Sequence, residues 1–124
     1  MKPDIKSRED IKVFVDSFYL KVGKDEILSP IFNGVANVNW ETHLPKMYDF
    51  WESILFGTGS FKGSPMQAHY KIHAKYPFKE EAFARWKALF NMTIDEYFYG
   101  ETANQAKTKA LSIATVTQIK LMQL

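Results

Sequence analysis

The chain contains no cysteine. Disulfides, iron–sulfur clusters and thiolate zinc sites are therefore excluded, and the usage fits a reducing cytosol. Long apolar runs are also missing: none approaches the roughly 18 residues that a membrane-crossing helix needs, so no membrane partner is expected. The opening stretch, MKPDIKSRED, has no apolar segment, so no signal peptide is expected there and the expected location is cytoplasmic. An excess of one charge is absent too. Lys and Arg number 16 against 14 Asp and Glu, a net charge of +2, and the basic residues are dispersed. A nucleic-acid partner is not expected, because tracking phosphates needs a concentrated basic patch. The glycine-rich FGTGSFKGS has no GKS or GKT after it, which removes the phosphate-loop reading and leaves a connector.

What is present is aromatic. Ten Phe, six Tyr and three Trp make up 15% of the 124 residues. Flat, bulky side chains at this density fill a core or line a pocket for something flat. The remaining composition, 46% hydrophobic and 24% charged, is that of an ordinary globular protein. The length predicts one domain over residues 1–124, burying roughly two thirds of its unfolded surface.

Periodicity predicts helices throughout. Over residues 7–22, Ser7 is the expected N-cap, with Asp10 three residues on, and Ile11, Phe14, Val15, Phe18, Tyr19 and Val22 form one apolar face that Gly23 closes. ILSPIFNG is a short bent piece, with Phe32 expected inside. A second helix is expected over about residues 40–55, carrying Leu44, Met47, Phe50, Trp51, Ile54 and Leu55. Pro45 fits only a first turn, so regular helix is expected from near Leu44, with His43 at a frayed entrance. Ser64 and Pro65 start a short helix carrying Met66, His69, Tyr70 and His73. Residues 80–99 form a long helix with Phe83, Trp86, Phe90, Ile94 and Tyr97 on one face, stopped by Gly100. A last helix, about 102–122, turns Ala103, Ala106, Ala110, Ile113, Ala114 and Thr117 to a neighbour. The class is all-α, with about five main helices.

Four polar-tipped residues lie on or beside apolar faces: Tyr19, His43, His69 and Trp86. Buried, each must satisfy its polar atoms. Three accounts compete. The first makes them core residues with backbone partners. The second pairs His69 with His73 as zinc ligands, since positions i and i+4 share a helix face. It lacks the glutamate of the zinc-protease pattern, replaced here by Tyr70, and shows no third ligand nearby. The third is a haem, which needs a flat apolar slot, an axial ligand and cations for its propionates. Aromatics, histidines on two helices and Lys46 beside His43 are all available, but the sequence pattern alone favours the first account and does not select the third.

The motifs do. FYLKV, SPIF, W..HLPKMYDFW, G.P...H and F.RW..LF, taken together, resemble the truncated haemoglobins, most closely group III. The likeness runs from about Ile11 to Ala114 and is weakest over residues 35–42 and 70–79. It implies a shortened globin fold, a two-over-two α-helical sandwich around haem b (iron protoporphyrin IX). It also implies His69 as the proximal iron ligand and Phe32 as a haem-packing ring. Tyr19, His43, Met47 and Trp86 would line the distal side, with Phe50, Trp51 and Phe83 as wall candidates and Lys46 as a propionate partner. His73 matches no ligand and reads as a solvated or propionate-adjacent residue.

The resemblance implies binding of dioxygen, NO and CO at a five-coordinate iron. Donors aimed at a partly charged ligand strengthen its binding, and Tyr19 and Trp86 can donate. His43 would gate the entrance, donate to the ligand or bind iron itself, and its expected place at a frayed helix end favours a gate. A polar pocket that holds oxygen tightly makes a poor carrier for oxygen transport. The second reading is thus a haem-dependent redox enzyme, a nitric oxide dioxygenase or peroxidase-like protein that needs an external reductase. The third is a helical interaction module without cofactor.

Overall fold

The computed structural model describes residues 2–30, 40–59 and 80–122. Among these residues there are four long helices and no strand: α1 (Arg8–Lys24), α2 (Trp40–Phe56), α3 (Glu80–Tyr97) and α4 (Glu101–Met122). Phe32, the helix expected from Ser64 and Pro65, and both His69 and His73 lie outside the described residues.

Helix α1 begins as its sequence predicts. Ser7 has extended backbone angles and its Oγ accepts the Asp10 amide at 3.4 Å. Asp10 answers by accepting the Lys6 amide at 2.8 Å, which ties the residue before the cap to the first turn. Glu9 and Asp10 at its start, and Lys21 and Lys24 at its end, both oppose the helix dipole. Ile11, Phe14, Val15, Phe18 and Val22 are buried. Each such side chain contributes about 1.5–3 kcal/mol relative to exposure. The expected stop at Gly23 is not observed. The helix runs through it to Lys24, and Asp25 caps the end, its amide donating to the Val22 carbonyl at 3.3 Å. A glycine only weakens a helix by about 1 kcal/mol, whereas a side chain that can hold the turn beyond ends it.

Helix α2 also departs from expectation. It is regular from Trp40, with Pro45 inside it. Proline removes one intrahelical donor and crowds the carbonyl four residues back, but here that carbonyl belongs to exposed Glu41 in the first turn. His43 is therefore an integral helical residue, not a frayed end, and it shares a stripe with Met47 and Phe50. At the other end Gly57, with φ of 68°, lets its amide return to the Ser53 carbonyl at 3.0 Å.

The helices pack two over two: α1 against α2 and α3, and α4 against α3 and, more lightly, α2. Phe14 is the centre of the core. Its ring meets Trp51, Phe90 and Phe98 edge-on at centroid distances of 5.7, 5.9 and 6.4 Å. Trp51 stacks on Phe90 at 5.1 Å, so α1, α2 and α3 share one aromatic cluster. Helix α4 supplies the small face expected of it: Ala103, Ala106, Ala110, Ala114 and Thr117 are buried. Small side chains let α3 and α4 approach closely. The expected inward place of Tyr97 is corrected. It is 38% exposed, because α3 ends there and Phe98, one residue on, takes the buried position at 5%.

The N-terminal arm is tied to the α3–α4 turn. Asp4 accepts the Thr102 and Ala103 amides at 2.9 and 2.8 Å, capping α4 from a distant part of the chain. Burial opposes ionisation of Asp4, but these amides and that of Ile5 outweigh it and hold its pKa below the ordinary value. Gly100, at φ of 149°, sits against it, and a Cβ there would lie 2.5 Å from the Asp4 carboxyl carbon. Gly100→Ala is expected to destabilise the fold by about 1–3 kcal/mol, through both backbone strain and displacement of the cap. A urea midpoint unchanged from that of the parent chain would refute this account of the turn.

Candidate functional site

At one edge of the aromatic core, three helices bring polar-tipped side chains together. Tyr19 comes from α1, His43 and Met47 from α2, and Trp86 from α3. Tyr19, Leu44, Met47, Phe50 and Trp86 are partly buried and pack against the core. Tyr19 and His43 are in direct contact, their rings edge-on at 5.3 Å and 85°. Phe18 bridges the other pair. It meets Tyr19 at 5.0 Å and Trp86 at 5.4 Å, both edge-on. Trp86 in turn stacks on Phe90 at 5.7 Å. Sequence periodicity did not single out Phe18 for this role. Being one of five buried residues on α1, it read as ordinary core.

The electrostatics of these groups agree with one another. Burial pushes the Tyr19 phenol well above its usual pKa, so it stays a neutral hydroxyl able to donate. Burial also lowers the pKa of His43, and the charge of Lys46 lowers it further. Near neutral pH His43 is therefore uncharged imidazole, with one donor and one acceptor nitrogen. Its Nε2 is itself buried. The Trp86 indole is a donor only. These groups can hold a small polar ligand by hydrogen bonds without presenting a formal charge to it.

The wall candidates are placed less uniformly. Phe50 is half-buried and meets Trp51 edge-on at 5.5 Å. Trp51 belongs to the core, 5% exposed. Phe83 is half-buried one turn before Trp86, and Lys46 is exposed one turn after His43. One residue that the sequence did not single out is Asp25, a buried carboxylate paired with Arg85 of α3. The signal was half visible, since Arg85 stands next to Trp86 in the F.RW..LF stretch.

A two-over-two helical sandwich with a tyrosine, a histidine and a tryptophan gathered at the rim of an aromatic core defines a shortened globin. The sequence matches the bacterial-like globin family over residues 4–120, and the chain belongs to that family, as a group III truncated haemoglobin. It is 33% identical over 118 residues to the group 3 truncated haemoglobin ctb of Campylobacter jejuni, an alignment covering 93% of this chain and 91% of that protein. Its fold matches the crystal structure of the group III truncated haemoglobin from Campylobacter jejuni with a TM-score of 0.84 at 32% identity. That match covers 98% of this chain and 95% of the other. Globin membership implies a bound haem. Among the described residues, no helix is long and apolar enough to cross a membrane.

Proposed function

We propose that this chain binds haem b and holds dioxygen, NO or CO at a five-coordinate iron, within reach of Tyr19, His43 and Trp86. The observation that carries this reading is the gathering of three neutral hydrogen-bonding groups from three helices at one edge of the aromatic core, linked through the ring of Phe18. The residues suit a haem: aromatic and thioether side chains for its faces, uncharged donors for a diatomic ligand, and exposed Lys46 for a propionate. Met47, Phe50 and Phe83 are the described wall residues, joined on family resemblance by Phe32. The same resemblance assigns the iron's proximal bond to His69. When bound, the haem supplies the iron that takes the diatomic ligand. The protein's own contribution is to exclude water and orient donors.

The donor set also bears on the fate of the bound ligand. Each donor to a partly charged ligand slows its release. Three neutral donors favour retention, and chemistry at the held ligand, over delivery in the manner of a carrier. Peroxidase-like or NO-dioxygenating turnover is the second reading. It would draw electrons from an external reductase, and we place the protein in the cytoplasm, where such a partner would meet it.

The deciding experiment is direct. The purified chain, given haemin and reduced, is expected to show an intense Soret band and a stoichiometry of about one haem per chain. A chain that stays colourless with added haemin overturns the proposal and leaves a helical interaction module.

A further inference from the structure

Asp25 closes α1 and is one of the few buried polar residues among those described, at 7% exposure. Every bonding group it has is engaged. Its amide donates to the Val22 carbonyl at 3.3 Å, and its carbonyl accepts the Ser29 amide at 2.9 Å. Oδ2 accepts the amides of Ile27 and Leu28, both at 3.1 Å. Oδ1 accepts Nε of Arg85 at 2.5 Å. A buried carboxylate is costly to desolvate and tends to be kept only where its bonds are complete. Burial works to raise the pKa of Asp25. The Arg85 hydrogen bond, the two amides and the guanidinium charge outweigh it, so the group stays ionised.

Arg85 is the residue before Trp86 on α3, so whatever fixes one fixes the helix that carries the other. A second ion pair joins α1 to α3, Lys21–Glu96 at 2.7 Å, but it grips α3 in its last turn, while two kinds of anchor act on the first half of α3, near the candidate site. One is apolar, the edge-on contact of Phe18 with Trp86 at 5.4 Å. The other is the Asp25–Arg85 pair. Asp25 lies six positions after Tyr19, about 9 Å along the helix. Dispersion contacts between rings are weakly directional and permit a helix to slide or rotate by small amounts. A charge-assisted hydrogen bond from a planar guanidinium sets direction as well as distance.

We propose that the Asp25–Arg85 pair positions Trp86, fixing the rotation of α3 against the end of α1 so that the indole N–H is aimed at the ligand held beside Tyr19 and His43. The proposal rests on the haem reading above. Asp25 and Arg85 are positioning residues, and neither is asked to touch the ligand.

The test uses the full chain loaded with haem, with two readouts. One is the C–O stretching band of the ferrous carbon monoxide form, which reports donors near the ligand. The other is the oxygen dissociation rate. Asp25→Asn keeps an oxygen for the Ile27 and Leu28 amides but sets an N–H against Arg85. Arg85→Gln removes the guanidinium. Both are expected to move the C–O band to higher wavenumber and to speed oxygen dissociation about three- to tenfold, part of what losing a whole donor would cost. Arg85→Lys, which keeps charge but not planar geometry, should fall between these variants and the parent. The control is Lys107→Gln, which breaks the Lys107–Asp95 pair (2.5 Å) farther along α3. It should leave both readouts unchanged. Folded, haem-loaded Asp25→Asn and Arg85→Gln proteins with the parent band and rate would overturn the proposal and leave the pair a purely structural tie. Should Asp25→Asn fail to fold, the band and rate of Arg85→Gln decide alone. Failure of the haem reading looks different: the unsubstituted chain itself would give no carbon monoxide complex.

Discussion

Replacing His69 with alanine is expected to remove the normal iron ligation and to weaken haem retention by on the order of a hundredfold or more. His73→Ala should leave both intact. The magnitude follows from metal chemistry. Even partners that only orient a metal-binding histidine are worth about 10–100-fold in affinity, so the ligand itself is worth more. The choice between the two histidines rests on the family likeness, in which G.P...H ends on His69 and no motif reaches His73. The structure adds an argument about the third histidine of the chain. His43 lies within α2, in ring contact with Tyr19 and near the charge of Lys46. It belongs to the group that would meet the diatomic ligand, and a second role as the permanent iron ligand would take it from that contact. Transfer of haem to an apo-globin acceptor, followed by absorbance, measures retention. His69→Gly supplemented with free imidazole should recover a parent-like spectrum, because the small base can fill the place left open. If His73→Ala loses haem and His69→Ala keeps it, the assignment is reversed.

Much of the fold could be read in advance because its signals are local and repeated. The apolar face of α1 was visible residue by residue, and five of its six members are buried; the sixth, Tyr19, lies at the rim. The alanine stripe of α4 was equally plain. Where reading failed, the deciding interaction was distant or competitive. Gly23 signalled a helix end, but Asp25 provides a stronger one, and its partner Arg85 is 60 residues away. Pro45 signalled a late helix start, yet the carbonyl it crowds belongs to exposed Glu41 in the first turn, and the helix begins five residues before it, at Trp40. Tyr97 matched the helical period, but the chain leaves the helix at that point and Phe98 fills the core. The candidate site divides along the same line. Tyr19, His43 and Trp86 were each suspicious alone, as polar tips on apolar faces. No spacing rule joins residues 19, 43 and 86, so only the family motifs and then the packing of three helices brought them together. The link through Phe18 was invisible, since a bridging phenylalanine and a core phenylalanine look the same in sequence.

That packing makes the distal substitutions the sharper probe of the proposed chemistry. Tyr19→Phe and Trp86→Phe are each expected to speed oxygen dissociation by roughly ten- to a hundredfold, the equivalent of about 1.5–3 kcal/mol for a hydrogen bond to a charged partner. Stopped-flow replacement of bound oxygen by carbon monoxide measures it. The two effects should not be equal in character. Tyr19 touches His43, whose buried imidazole is neutral near pH 7 and so still able to donate one N–H. When the phenol is lost, His43 is the nearest described substitute, and Tyr19→Phe should fall toward the lower end of the range. Combining it with His43→Ala should then cost more than the sum of the separate losses, because the substitute is removed as well. Among the described residues the rings that Trp86 meets are Phe18 and Phe90, not His43, so Trp86→Phe should combine with His43→Ala additively. Unchanged rates in both single variants would remove the hydrogen-bond account of the pocket. Additive losses in both pairs would keep the donors but show that His43 acts independently of the phenol it touches.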